Sequence, residues 1–255
     1  MTPGTAPTRR GGDYVQTGEV RTYYEVHGEG NPLVLLHGGL CTVETFDGLT
    51  PTLAERFRVY VPERRGHGRT ADVEGPITYV NMAQDTVAFM DALRITGAHL
   101  VGFSDGAAVA VHVALERPEL VNRLVLIGQP LNHDGLPPGM IEMLADLAAH
   151  LPPALAQLYG ALSPDGPEHF EVIIDKLAAT WRTEPSFTLD TLATLTAPAL
   201  FMMGDNDAVT LEHADAVRRT IPGSQLAVVP GATHGLPMEK PDIAARLTLD
   251  FLAGD

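Results

Sequence analysis

The sequence contains one cysteine, two lysines and one tryptophan, and aromatic residues make up only 6% of its 255 positions. Each shortage excludes something. A lone Cys41 cannot close an intrachain disulfide, so the fold must hold without an oxidising compartment, and a cytoplasmic protein is expected. No apolar run approaches the ~20 residues that span a bilayer. Residues 1–13 are polar and rich in Pro, Gly and Thr, lack the apolar segment of a secretory signal, and are expected to form a disordered tail. Positive charge is scarce too: 17 Lys and Arg against 32 Asp and Glu give a formal net charge of −15. A surface of that sign repels phosphate backbones and anionic lipid, so neither nucleic acid nor a membrane is an expected partner. No His, Cys or acidic residues fall at metal-ligand spacing, and no phosphate-binding glycine motif follows a strand, so no metal or nucleotide cofactor is expected.

What is present is ordinary globular material, 45% hydrophobic. Gly18–Gly28 alternates around Tyr23, Tyr24 and Val26 and reads as one or two antiparallel strands. Leu33–Leu36, Phe57–Val61, His99–Phe103, Leu124–Ile127, Ala199–Met203 and Gln225–Val229 are short apolar runs of the kind found in strands covered on both faces. Between them, Tyr79–Leu93, Asp105–Glu116, Leu211–Thr220 and Ile243–Leu252 carry helical spacing. This alternation predicts an α/β fold over residues 14–255, a mostly parallel twisted sheet wrapped by helices. The stretch from about 131 to 190 interrupts it with Pro-rich breaks and helical apolar spacing (Met140, Met143, Leu147, Leu151). It reads as a helical cap inserted after the sixth strand, with ordinary crossover helices as the alternative.

Gly102-Phe103-Ser104-Asp105-Gly106 lies between a predicted strand and a predicted helix. At such a junction a G-x-S-x-G turn projects the central side chain above the sheet, and the helix aims its free N–H groups at the same spot. Ser104 is therefore a candidate nucleophile, which needs a base. His234, in the Gly-rich loop after the last apolar strand, lies at the same sheet edge, where open parallel sheets bind ligands. The base in turn needs a carboxylate. Asp207, after the strand Ala199–Met203, is the first choice. Asp134 is a weaker one, and Asp205 is expected to bond its own turn. His67 sits in the Arg-Gly-His-Gly loop and His112 reads as a buried imidazole; His133 and His169 fall at or in the cap as pocket-lining candidates, and Trp181 on the last cap helix reads first as a cap-to-core anchor.

These motifs, with His37-Gly38-Gly39 and Arg65-Gly66-His67-Gly68-Arg69, resemble the α/β-hydrolase superfamily from about Arg21 to Leu252, specifically its capped carboxylesterase and lactonase-like group. The resemblance implies an α/β-hydrolase fold and a Ser104–Asp207–His234 triad. It also implies an oxyanion hole from the backbone N–H groups of Asp105 and Gly39, with Leu40 the next candidate. It gives His37 a structural place, and Cys41 no role as nucleophile. Glu63 stands where the family usually has Asp, a change expected to alter packing in that loop. Asp105 resembles the elbow of amino-acid ester hydrolases such as valacyclovir hydrolase, where the acid receives a substrate ammonium; the alternative is a side chain that merely complements the helix N-terminus. Asp105, His133 and Trp181 are thus expected at the substrate. The expected activity is cleavage of a small ester or lactone through an acyl-enzyme, with homodimerisation left open. The alternatives are carbon–carbon bond hydrolysis of a ring-cleavage dienone by the same triad, and a ligand-binding member of the fold without chemistry.

Overall fold

The computed structural model describes residues 11–145 and 151–253. Of the expected tail, residues 1–10 lie outside those described, and a strand begins at Asp13. Eight strands form one sheet: β1 (Asp13–Thr17), β2 (Val20–His27), β3 (Asn31–Leu36), β4 (Phe57–Pro62), β5 (Ala98–Phe103), β6 (Val121–Ile127), β7 (Ala199–Asn206) and β8 (Gln225–Thr233). Their order is β1-β2-β4-β3-β5-β6-β7-β8. β1 pairs with β2 and β2 with β4 antiparallel; the remaining pairs are parallel.

The central runs are apolar at every position because both faces are covered. In β3, Val34 and Leu36 pack into one core and Leu33 and Leu35 into the other. In β6, Leu124 and Leu126 face the first, and Val125 and Ile127 the second. The first core lies under α2 (Tyr79–Ala92) and α3 (Asp105–Glu116), with α8 (Leu211–Thr220) at its β7 side; the second lies under α1 (Thr50–Leu53), α9 (Leu236–Glu239) and α10 (Pro241–Leu252). A buried side chain of this size contributes roughly 1.5–3 kcal/mol, so the alternating faces fix the register firmly.

Register then decides which loops meet. Leu36 pairs with Gly102, Phe103 with Ile127, Ile127 with Met202, and Asn206 with Thr233. The next residues of these five strands therefore emerge together at one edge: His37–Gly39, Ser104, Gly128, Asp207 and His234. Above that edge, the chain between β6 and β7 holds α4 (Met140–Ala145), α5 (Pro153–Leu162), α6 (Phe170–Trp181) and α7 (Leu189–Leu192). Asp72 anchors this segment, accepting from Lys176 Nζ at 2.6 Å and His169 Nε2 at 2.9 Å. Thr180 bonds the Ile77 carbonyl, and Glu184 accepts from the Tyr79 N–H at 2.8 Å. Leu147, expected in the cap pattern, lies outside the described residues. No helix among the described residues is long and apolar enough to cross a membrane.

Candidate active site

Ser104 joins β5 to α3 with φ 50° and ψ −127°, a conformation that costs a residue with a side chain on the order of 1–3 kcal/mol. Its neighbours impose it. A Cβ on Gly102 would stand 2.3 Å from the Gly106 carbonyl oxygen, and one on Gly106 only 2.0 Å from that of Leu36. The turn can thus be this tight only with bare backbone at both positions. The Ser104 N–H donates to the Ile127 carbonyl at 2.8 Å, pinning the turn to the end of β6.

His234 Nε2 lies 3.1 Å from Ser104 Oγ, and His234 Nδ1 lies 3.1 Å from Asp207 Oδ1. Asp207 only accepts, so Nδ1 carries the ring proton and Nε2 is free to accept from the serine hydroxyl. The Asp207 side chain is fully buried, and Oδ1 also accepts the Ala208 N–H at 2.7 Å. Its Oδ2 has no partner among the described groups and sits 3.0 Å from where a Cβ on Gly128 would stand. Gly128 is a site residue the sequence reading passed over, although it follows the Leu124–Ile127 run just as Ser104 follows its own.

The His37-Gly38-Gly39 turn lies beside Ser104: a Cβ on Gly38 would be 3.1 Å from Ser104 Cβ. Leu40 completes the turn at φ 56°, with the Cys41 N–H donating to the Gly38 carbonyl at 3.3 Å. Gly39, Leu40, Ser104 and Asp105 all border one cavity of about 480 Å³, and no described group accepts from the N–H of Gly39, Leu40 or Asp105. Free backbone donors at the head of α3 and in the facing turn are what a developing oxyanion requires.

The far wall comes from the cap. His133, Met140, Met143, Trp181 and Glu184 line it, with Gln129 at the sheet side. The wall is mainly apolar, and none of its residues is Lys or Arg. Burial pushes the Glu184 carboxyl up from its ordinary value, with the Asp105 charge adding to the rise. His133 and Trp181 thus both border the cavity. Asp105 is there as well, but only 3% exposed. Its Oδ1 accepts the Tyr79 hydroxyl at 2.7 Å and the Trp181 Nε1–H at 3.0 Å, and Oδ2 shares that indole proton at 3.1 Å. A substrate ammonium would have to displace the indole. Neither bare helix-end complementation nor ammonium capture describes this carboxylate; it ties the cap to the elbow.

Other expectations resolve similarly. Asp134 lies in a 3-10 turn after β6 and accepts nothing from His234, whose Nδ1 faces Asp207. Asp205 does not close its own turn. Its Oδ1 accepts the Gly231 N–H at 2.7 Å and so steadies the loop that carries His234. Burial lowers His67 to about 3 and His112 to about 4, so both are neutral. Burial also raises the Cys41 thiol, which makes it a poor nucleophile. Glu63 does more than pack: it accepts from Arg69 Nη1 at 2.6 Å and from the Arg69 N–H, closing the 66–69 turn. Among the described residues no group of three His, Cys, Asp or Glu side chains is arranged to hold a metal ion.

Comparison with known proteins places the fold in a family. Pyrrolizixenacetamide deacetylase of Xenorhabdus hominickii is 37% identical over 115 residues, but that alignment spans 45% of this chain and only 43% of the deacetylase. The 2-hydroxy-6-oxo-6-phenylhexa-2,4-dienoate hydrolase of Burkholderia cepacia is 29% identical, with 89% of each chain covered. Among solved structures, a meta-cleavage product hydrolase of Pseudomonas fluorescens IP01 superposes with a TM-score of 0.80 at 25% identity, covering 94% of this chain and 97% of that one. Carboxylesterase CesB of Bacillus subtilis, at 24% identity and TM-score 0.77 over 98% and 93% of the two chains, shares the fold. The model of the alpha/beta hydrolase family matches residues 33–247, from β3 to α10 and so through every element of the site, and the chain belongs to that family.

Proposed function

We propose that the protein is a serine hydrolase that cleaves a small uncharged carboxylic ester or lactone. The observation that carries this reading is the unbroken chain from Ser104 Oγ through His234 to the buried Asp207, with both links at 3.1 Å. Ser104 Oγ attacks the carbonyl carbon while His234 Nε2 takes its proton, and Asp207 stabilises the imidazolium. The N–H groups of Asp105 and Gly39 hold the oxyanion. The tetrahedral intermediate collapses, the leaving alkoxide takes the proton from Nε2, and an acyl-Ser104 remains. Water, deprotonated by His234, then releases the acid and restores the serine. In a lactone the leaving alcohol simply stays tethered to the acyl group.

The wall of the cavity favours an ester over a dienoate. A dienoate brings a carboxylate, and this wall offers no Lys or Arg but does offer Glu184. A carboxylate entering this cavity meets no cationic side chain, and burying it unpaired is costly. We place the activity in the cytoplasm, where Cys41 remains a thiol. The test is p-nitrophenyl acetate turnover by wild type and Ser104→Ala. The expected result is a loss of about 10⁴-fold or more with circular dichroism unchanged. Turnover retained in the variant would refute the reading.

A further inference from the structure

Arg64 stands behind the oxyanion turn and is 4% exposed, yet it makes no ion pair among the described residues. Burial lowers its pKa, and the Asp105 charge is what chiefly opposes that fall. Burying a guanidinium with no carboxylate paired to it is costly, so its retention asks for a reason. Its contacts supply one. Arg64 Nη2 donates to the Gly38 carbonyl at 2.8 Å. The Arg64 backbone N–H donates to His37 Nε2 at 3.1 Å, which places the His37 proton on Nδ1. His37 Nδ1 then donates to the same Gly38 carbonyl at 2.8 Å, and Cys41 N–H is the third donor at 3.3 Å. His37 stays neutral for this task, because burial and the Arg64 charge hold its pKa far below the ordinary value.

Three donors on one buried oxygen act on the other end of the same peptide. The Gly38 carbonyl and the Gly39 N–H belong to a single planar group, so fixing the oxygen fixes the direction of the N–H. Charge drawn toward the oxygen also strengthens the N–H as a donor, by about 10–30% per bond in condensed-phase estimates. Asp105 and Trp181 crowd the other side of the turn, so that only a bare backbone fits there: a Cβ on Gly39 would stand 2.5 Å from Asp105 Oδ2 and 2.7 Å from the Trp181 ring. We propose that Arg64 is a positioning residue of the hydrolytic reaction, holding and polarising the Gly38–Gly39 peptide so that the Gly39 N–H meets the oxyanion. This rests on the serine-hydrolase reading above. Its sequence neighbour Arg65 takes a different course and pairs with Asp85 at 2.6 and 2.8 Å.

The experiment compares Arg64→Met and Arg64→Lys with wild type on p-nitrophenyl acetate, and against a boronic acid that forms a tetrahedral serine adduct. Removing an oxyanion donor outright costs about 10²–10³ in kcat, so weakening one predicts a loss of roughly tenfold in Arg64→Met. KM should stay within about twofold, and boronate affinity should fall by the same factor as kcat, since both report the tetrahedral state. Arg64→Lys keeps the charge near Asp105 and so guards against a variant that fails to fold; it ends in one ammonium in place of the planar fork and should lose kcat at least about threefold. A merely structural role would lower Tm or raise KM without that parallel. The proposal is overturned if every folded variant keeps wild-type kcat and boronate affinity. Ser104→Ala separates the two ideas: turnover surviving there refutes the triad and this inference together, whereas normal dependence on Ser104 with Arg64 indifferent refutes this inference alone.

Discussion

The sheet edge and the cap contribute to the same cavity by different physical means. At the edge, each functional group follows a strand whose register is fixed by side chains buried on two faces. In the cap, Trp181, Glu184 and the α4 methionines come from helices and their connections, which bury Ile173 and Leu177 in the first core and add polar anchors at Asp72, Asp105 and the Tyr79 N–H. Two buried carboxylates express the contrast. Asp207 accepts from the His234 imidazole that faces Ser104; Asp105, next to Ser104 in sequence, accepts from Tyr79 and a cap indole. The chemistry is thus built on the rigid half, and the shape of the cavity depends on the anchored half.

The comparison can be broken at either carboxylate. Asp207→Asn should cut kcat by about 10⁴, because the imidazole loses the partner that fixes its tautomer. Asp105→Ala should change kcat for p-nitrophenyl acetate by less than about tenfold while altering the ranking of kcat/KM across acyl chain lengths, since the indole is freed. Equal losses in the two variants would erase the distinction. A smaller effect is expected at the cap anchor. Asp72→Asn should cost about 1–2 kcal/mol, or roughly 2–8 °C in Tm. Hydrogen exchange should quicken in α6 and stay unchanged in β5 and β6.

The last effect concerns acid and the rigid half. His67 is buried, its Nδ1 bonds the Arg65 carbonyl at 2.9 Å, and its Nε2 has no partner. Its folded-state pKa of about 3 lies below the ordinary 6.5. Between these values the unfolded chain binds a proton that the folded one refuses, so stability falls as pH drops from 6.5 toward 3. One such site contributes up to about 1.4 kcal/mol per pH unit. Thermal unfolding followed from pH 7 to pH 4 should therefore slope less steeply in His67→Gln than in wild type.

Most of the sheet half was legible because its signals are local. An apolar run, a Gly-flanked turn and a polar residue at the carboxyl end recur at Ser104, Asp207 and His234 within a few residues each. The same rule would have found Gly128. The partners of Asp105 were legible only in part: Trp181 reads as a cap-to-core anchor, but it and Tyr79 lie 76 and 26 residues away on two other helices, and their meeting at Asp105 depends on how the cap sits. Arg64 was hidden for a related reason. It stands beside Arg65 in a polar stretch, and only the path of the chain after β4 turns one guanidinium inward under the Gly38 carbonyl and the other out to Asp85. Asp205 was misjudged because its acceptor role is filled by a loop on the neighbouring strand, which no short-range pattern reveals.

The central claim is that Ser104, activated by His234, is the nucleophile. Intact-mass and peptide mapping after reaction with a fluorophosphonate tests it most directly. The account predicts one adduct per chain, on the peptide containing Ser104, formed at a rate that collapses in His234→Ala. An adduct elsewhere, or no adduct on a folded protein, would contradict it.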